Sequence, residues 1–257
     1  MNAALAELLA LTNAFLWQGI AVFLRVGAVV AFLPAFGERT VPVRIKLAIT
    51  LAFVFVIAPA LPPLVDQPGI GTLLRLTLTE TLNGLVLAIG IRLIVMALQT
   101  AGAIAAQSTS LSQVLGGAAV DPLPAMGHIL VVGALALAVM SGLHVKAAML
   151  ILLSYDFLPL GVFPDGSALS QWGIAQVARA FALAFSLAAP FVILSVIYNL
   201  TLGVINRAMP QLMVAFVGAP VITAGGLVIL MLAAPLMLEV WLRALDSFLA
   251  NPLQAVE

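Results

Sequence analysis

Arg25 and Arg92 each stand inside a long apolar run, where an isolated cation costs at least ~2.5 kcal/mol on insertion scales. A cation so placed either pairs with a carboxylate or with helix C-terminal carbonyls inside protein, or snorkels to an interface along its aliphatic stem. Arg25, about 14 residues into its run, is evenly poised between the two. Glu80 could reach Arg92 only through a tertiary contact, because twelve residues of helix separate them by ~18 Å. His128 and His144 are the two imidazoles, and sixteen residues at ~100° leave them some 160° apart around one continuous helix, so they could not share a metal on it. Ser141 and His144 share a face at i, i+3, a spacing a hydrolase could use. No glycine-flanked G-x-S-x-G turn accompanies them, and serine in membrane helices commonly bonds the backbone of its own helix. The pattern points away from an enzyme and calls for no metal or other cofactor.

The elements that must carry these residues are set by silences in the charge pattern. Between Ala208 and Leu238 the chain runs for 31 residues without a charged side chain, more than the ~20 a helix needs to cross ~30 Å of hydrocarbon. Similar silences separate Arg179 from Arg207, Arg92 from Asp121, Asp121 from Lys146 and Lys46 from Asp66. With 64% of residues hydrophobic and only 8% charged, the expected class is all-α, a polytopic membrane protein in one domain over residues 1–257. About six hydrophobic, Pro/Gly-broken segments are expected, forming helical hairpins: roughly residues 11–36, 47–65, 81–106, 126–154, 180–206 and 211–238, with 66–80 a polar connection. Net charge is zero and no basic, aromatic-interleaved patch exists, which removes nucleic acid as a partner. Cysteine is absent, so disulfides and thiol chemistry are excluded. Glu7 stands where a signal peptide would carry Lys or Arg, so the first segment is expected to be retained. Arg39, Arg44 and Lys46 with Arg207 against Asp66 and an acidic tail tilt the positive-inside rule toward both termini facing away from the cytoplasm.

One stretch fits no ordinary span. Gln107-Ser108-Thr109-Ser110-Leu111-Ser112-Gln113-Val114-Leu115-Gly116-Gly117 is uncharged yet too polar and Gly-rich for a lipid-facing helix, and backbone of that kind at membrane depth needs protein or a water-filled cavity around it. Upstream, the small residues Ala101, Gly102, Ala105 and Ala106 allow close helix approach. Pro190, Pro220 and Pro235 would kink or end helices, or would serve a secondary transporter or permease for a small solute, the alternative reading. Such carriers keep ionisable groups at mid-membrane, and the fifth and sixth runs hold none.

Two motif regions narrow this further. Phe23-Leu24-Arg25-Val26-Gly27 followed by Pro34-Ala35-Phe36-Gly37-Glu38-Arg39-Thr40-Val41-Pro42-Val43-Arg44 resembles the N-terminal signature of the FliR/SctT family of type III secretion export-gate proteins. Asn206-Arg207-Ala208-Met209-Pro210-Gln211 leading to Gly218-Ala219-Pro220 is similar to that family's R-x-x-P-Q and G-x-P region, with Met213 and Ala215 standing where the family carries Asn and an aromatic. Gln107, Asp121-Pro122 and Pro159-Leu160-Gly161 fall where the family has its mid-chain Gln, its Asp-Pro and its P-x-G. The Arg39-x-x-Pro42 and Arg207-x-x-Pro210-Gln211 patterns favour a flagellar member over a virulence-associated one. The resemblance implies a subunit of the protein export gate in the bacterial inner membrane at the flagellar basal body. It implies FliP-like and FliQ-like small membrane proteins, a FlhB-like protein and membrane lipid as neighbours, and unfolded export substrates as cargo. It also implies that the segment from Gln107 to Gly117 is a plug in the channel entrance.

Overall fold

Long apolar runs leave the backbone no water to bond, so each N–H and C=O must be satisfied within its own segment, which selects helix. The computed structural model describes residues 2–62, 69–109, 125–209 and 214–253, with side chains from residues 12, 126 and 221 onward in the first, third and fourth stretches. Among these residues all regular structure is helical: α1 Asn2–Phe32, α2 Val43–Ile57 continued by a 3-10 turn Ala58–Ala60, α3 Ile70–Thr109, α4 Ala125–Met140, α5 Leu143–Phe157, α6 Gly166–Ala208 and α7 Val214–Ala250. Five of these spans are long and apolar enough to cross a membrane, and α4 with α5 makes a sixth if that pair, bent by 74°, counts as one. The chain is thus an all-α polytopic membrane protein.

Several boundaries differ from the sequence expectation. The segment 66–80, read as a polar connection, is helical from Ile70, because its hydroxyls are absorbed by the helix itself: Thr77 Oγ1 donates to Leu73 O and Thr79 Oγ1 to Arg75 O, both at 2.9 Å. Helix α6 starts at Gly166, fourteen residues before the expected run, where the Asp165 carboxylate accepts the N–H of Ala168 at 2.7 Å as an N-cap. The expected fourth run is two helices, broken where Gly142 adopts φ 82°, a left-handed conformation that terminates α4. Pro190 lies inside α6 without ending it, and Pro220 and Pro235 fall within the span of α7.

The prolines after α2 act as expected, and they leave a debt. Pro62 has no N–H to give to Ala58 O, its i−4 carbonyl, so the 3-10 bond from Leu61 N at 3.3 Å is a poor substitute. Gln18, nearly fully buried on α1, fills the gap: its Nε2 donates to Ala58 O at 2.6 Å and to Leu61 O at 2.9 Å.

The helices contribute to two compact units, Met1–Arg92 with Ala138–Gln176 and Leu245–Glu257, and Leu93–Leu137 with Val177–Ala244. The first buries Val22, Val26 and Val29 of α1, a stripe at helical spacing that Leu33 continues just past its end, together with Leu87 and Ile91 of α3 and Leu150 and Ile151 of α5. Its C-terminal part is tied in by Trp172 Nε1, which donates to Pro252 O at 2.8 Å, and by the ion pair of Lys146 with Asp246 at 2.7 Å. In the second, Trp241 is fully buried and its Nε1 donates to Ile94 O at 2.8 Å. There the small residues of α3 do what their size allows: Ala101 and Ala105 are fully buried, and Gly102 lies so close to Gly127 of α4 that a Cβ on it would strike the Gly127 Cα.

This contact is testable against an open glycine of the same unit. Gly102→Leu should destabilise by about 1–3 kcal/mol through overpacking, whereas Gly203→Ala, with nothing near its would-be Cβ, should be neutral or stabilising by up to about 1 kcal/mol. Thermal unfolding of the two variants in detergent measures the contrast.

Candidate functional site: a buried arginine and the motif turns

Arg25 is fully buried and spends its guanidinium on three partners from two other helices. Its Nε donates to Glu80 Oε2 of α3 at 2.8 Å, one terminal nitrogen to Ser154 Oγ of α5 at 3.0 Å, and the other to Leu158 O, just past the end of α5, at 2.8 Å. Both routes open to a membrane cation are therefore used at once, a carboxylate and a helix C-terminal carbonyl, the latter also favoured by the helix dipole. The Tyr155 ring covers the guanidinium with 3.7 Å from Cζ to the centroid. Ser154 in turn donates to Ile151 O at 2.6 Å.

Glu80 reaches this depth because α3 lies against α1 at a glycine. Gly84, four residues on and so on the same face, is so close to Arg25 O and Ala28 that no Cβ fits there. The second oxygen of Glu80 accepts the N–H of Gly161 at 2.9 Å. That glycine adopts φ 70°, which only glycine adopts without strain, and it turns the Pro159-Leu160-Gly161 segment back over α3. Arg75 Nε donates to Gly161 O at 2.9 Å and Asn83 Nδ2 to Val162 O at 3.4 Å, so three side chains of α3 hold one turn. The P-x-G motif is thus the far end of the Arg25–Glu80 network.

The N-terminal motif folds as the turn between α1 and α2. Pro34 is buried, Ala35 has φ 66°, and Gly37 N donates to Leu33 O at 2.6 Å. A Cβ on Gly37 would strike the Ala31 backbone, which explains a glycine here. Lys46 Nζ donates to Gly37 O at 2.9 Å, and Glu38 pairs with Arg92 at 2.9 Å with both side chains half-buried. Arg92 therefore finds its carboxylate in this turn. Pro42 forms the N-cap of α2, its carbonyl accepting from Ile45 N and Lys46 N. Arg39 and Arg44 are exposed and have no partner among the described residues.

Other expected sites are dispersed. The helix break separates Ser141 from His144, so they do not share a helix face: Ser141 Oγ donates to Ala138 O at 2.9 Å and accepts from Lys146 Nζ at 3.4 Å, while His144 is exposed on α5. The same break removes the continuous helix assumed for His128 and His144. Gln107, Ser108 and Thr109 are helical, forming the last turn of α3, with Ser108 and Thr109 bonded back to Ile104 O and Ala105 O at 2.7 and 3.0 Å. Thr109 is buried against Gly226 of α7, where a Cβ would strike its side chain. Ser110 to Gly117, Asp121, Pro122, Pro210 and Gln211 lie outside the described residues, as do the side chains of Gly218 and Pro220 within α7. Arg207 is exposed in the last turn of α6, where the helix dipole favours a cation, and has no partner among the described residues.

The network was missed at the sequence level because its members are far apart in the chain; the signal available was Arg25 itself, a cation in an apolar run needing a carboxylate. Removing one member of a buried pair costs about 3–5 kcal/mol, whereas removing both is close to neutral. Arg25→Met and Glu80→Leu should each destabilise strongly, and the double variant should be more stable than their sum. A denaturation double-mutant cycle in micelles checks this, additivity being the contrary result.

Comparison with known proteins bears on what this architecture serves. Residues 16–248 match the family model described as bacterial export proteins, family 1. The flagellar biosynthetic protein FliR of Caulobacter vibrioides is 30% identical over 224 residues, covering 86% of this chain and 89% of that protein. FliR of Escherichia coli is 30% identical over 235 residues, covering 88% and 85%, and FliR of Bacillus subtilis 30% over 210, covering 77% and 79%. Together with at least five apolar spans and a family match running through both motif turns, these findings establish that the chain belongs to family 1 of the bacterial export proteins, as a FliR-like membrane protein of flagellar biosynthesis.

Proposed function

We propose that this protein is a subunit of the flagellar export gate in the bacterial inner membrane, shaping the channel entrance for unfolded export substrates beside FliP-like, FliQ-like and FlhB-like neighbours. The observation that carries the reading is the match over residues 16–248. One feature of the surface supports a protein neighbour. Helix α6 exposes Val177, Phe181, Phe185, Ile193, Val196, Ile197, Leu200, Val204 and Ile205. This face extends ~42 Å at 1.5 Å per residue, with Arg179 the one charged residue along it, against ~30 Å of hydrocarbon. Lipid alone would cover it only at a tilt beyond the usual limit of about 40°. In this reading the two units act as one gate domain, Arg207 meets a neighbouring subunit, and the outward-facing Arg39 and Arg44 anchor the turn by the positive-inside rule or touch that neighbour.

The plug belongs to the same proposal. Because Gln107 to Thr109 continue α3 and Thr109 is seated on Gly226, displacement would begin beyond Thr109. The chemistry needs no catalytic group and no cofactor, since moving an unfolded chain through a pore makes and breaks no covalent bond.

Three measurements test this reading. Mild detergent extraction should recover the protein in a stoichiometric complex with two small hydrophobic proteins, whereas a stable homodimer that transports solute in liposomes would favour a carrier. In cells, Arg207→Leu should impair assembly or export with Arg207→Lys partly tolerated, and deletion of residues 110–117 should make the membrane leaky to small ions while the complex still assembles. Full motility in the Leu variant, or loss of assembly without a leak in the deletion, would contradict these roles.

A further inference from the structure

A cavity of about 800 Å³ lies in the first unit beside the Arg25 network, bounded by α1, the Ala58–Pro62 turn and the end of α5. Its apolar walls are Val22, Leu61, Pro62, Leu152, Leu153 and Leu160. Three polar groups line it as well. Gln18 spends its Nε2 on the proline-orphaned carbonyls, which leaves its Oε1 buried without a partner. The Tyr155 hydroxyl is likewise buried and unpartnered, since its ring serves Arg25. Asp156 is exposed and has no ion-pair or hydrogen-bond partner among the described residues. The site therefore offers a carboxylate, an amide oxygen that can only accept and a hydroxyl, at the negative end of the α5 dipole. It calls for a cation rich in N–H donors. Buried acceptors left unbonded are costly, and such a ligand would satisfy them.

The surroundings say what the rest of that ligand is. Val145, Met149 and Leu153 form an exposed stripe along α5 at i, i+4, i+8 that runs into the cavity wall at Leu153, and on α2 Phe55 and Val56 are exposed one turn before the Ala58–Pro62 rim. Apolar stripes of a membrane helix leading to one acceptor-rich hollow fit a molecule with hydrocarbon tails and a small ammonium head. We propose that this cavity is a headgroup site for a primary-amine phospholipid, with the ammonium at Asp156, Gln18 Oε1 and the Tyr155 hydroxyl, and the acyl chains along α5 and α2. This inference stands apart from the export reading, as it rests on the cavity and its two stripes alone.

The test uses the full chain in mild detergent and native mass spectrometry with three phospholipids of identical acyl chains. Phosphatidylethanolamine has a primary ammonium, phosphatidylcholine a cation without N–H donors, and phosphatidylglycerol no cation. The wild type should retain phosphatidylethanolamine roughly two- to fivefold better than phosphatidylglycerol, the factor an exposed ion pair supports, and also better than phosphatidylcholine, whose head group has no N–H to donate. Asp156→Asn, a conservative change at an exposed position, should remove that preference without moving the thermal midpoint. Equal retention of the three lipids, or a preference untouched by Asp156→Asn, would overturn the proposal. A photo-crosslinking residue in place of Leu153 supplies the second arm in cells: a lipid-sized adduct supports the site, and a protein-sized adduct would overturn it by showing that a polypeptide covers the cavity.

Discussion

A guanidinium and a carboxylate, both with no exposed side-chain surface, sit side by side in a protein whose solvent is largely hydrocarbon. Taking two ions out of water costs several kcal/mol each, and their mutual attraction offsets this only where further hydrogen bonds satisfy the remaining donors and acceptors. That requirement organises the first unit. Arg25 cannot be satisfied by Glu80 alone, so Ser154 and the Leu158 carbonyl must stand where they do; Glu80 cannot be satisfied by Arg25 alone, so Gly161 must turn its N–H inward. Three helices and one turn are thereby fixed by one pair. Gly84 is the steric condition for the pair, since it lets α3 come close enough for Glu80 to reach.

The same accounting explains the prolines. In an apolar setting a carbonyl without a donor is a cost no water removes. Pro62 creates such a carbonyl at Ala58, and Gln18 on another helix answers it, so a break in α2 becomes a tie between α1 and α2. Hydroxyls on α3 follow the opposite logic: Thr77, Thr79, Ser108 and Thr109 bond to carbonyls of their own helix and leave it whole. Among the described residues, the hydroxyls of α3 thus close on their own helix, whereas Arg25, Glu80 and Gln18 each join two elements, and the first two meet at the Pro159–Gly161 motif turn.

Much of this was legible in the sequence. Charge silences of 19 to 31 residues marked the spans, and the cation inside the first run announced that a buried partner or an interface had to exist. The motif turns were legible as motifs, and the structure gives their mechanics: Gly37 is forced by the Ala31 backbone and Gly161 by its positive φ. What hydropathy could not show was which carboxylate answers Arg25, because Glu80 lies 55 residues away and nothing local to either residue encodes the encounter. The break at Ser141-Gly142 was hidden for the reverse reason: two small residues scarcely lower the hydropathy of an apolar run, and only the Ser-Gly pair itself signals a turn. The start of α3 was obscured by Arg75, Thr77, Thr79 and Glu80, whose polarity looks like a loop until their partners are seen.

Membership of the bacterial export proteins gives this architecture its setting, and the buried pair gives it a point of failure that can be observed directly. If Glu80 holds the Pro159–Val162 turn as the geometry requires, the backbone there is protected by a side chain 81 residues distant. Hydrogen–deuterium exchange of the peptide covering residues 155–163, measured in detergent for the wild type and for Glu80→Leu, reads this out. Faster exchange in that peptide, with the peptides of residues 180–205 unchanged, is the result the account predicts; identical protection of residues 155–163 in both proteins would show that the turn stands without the pair.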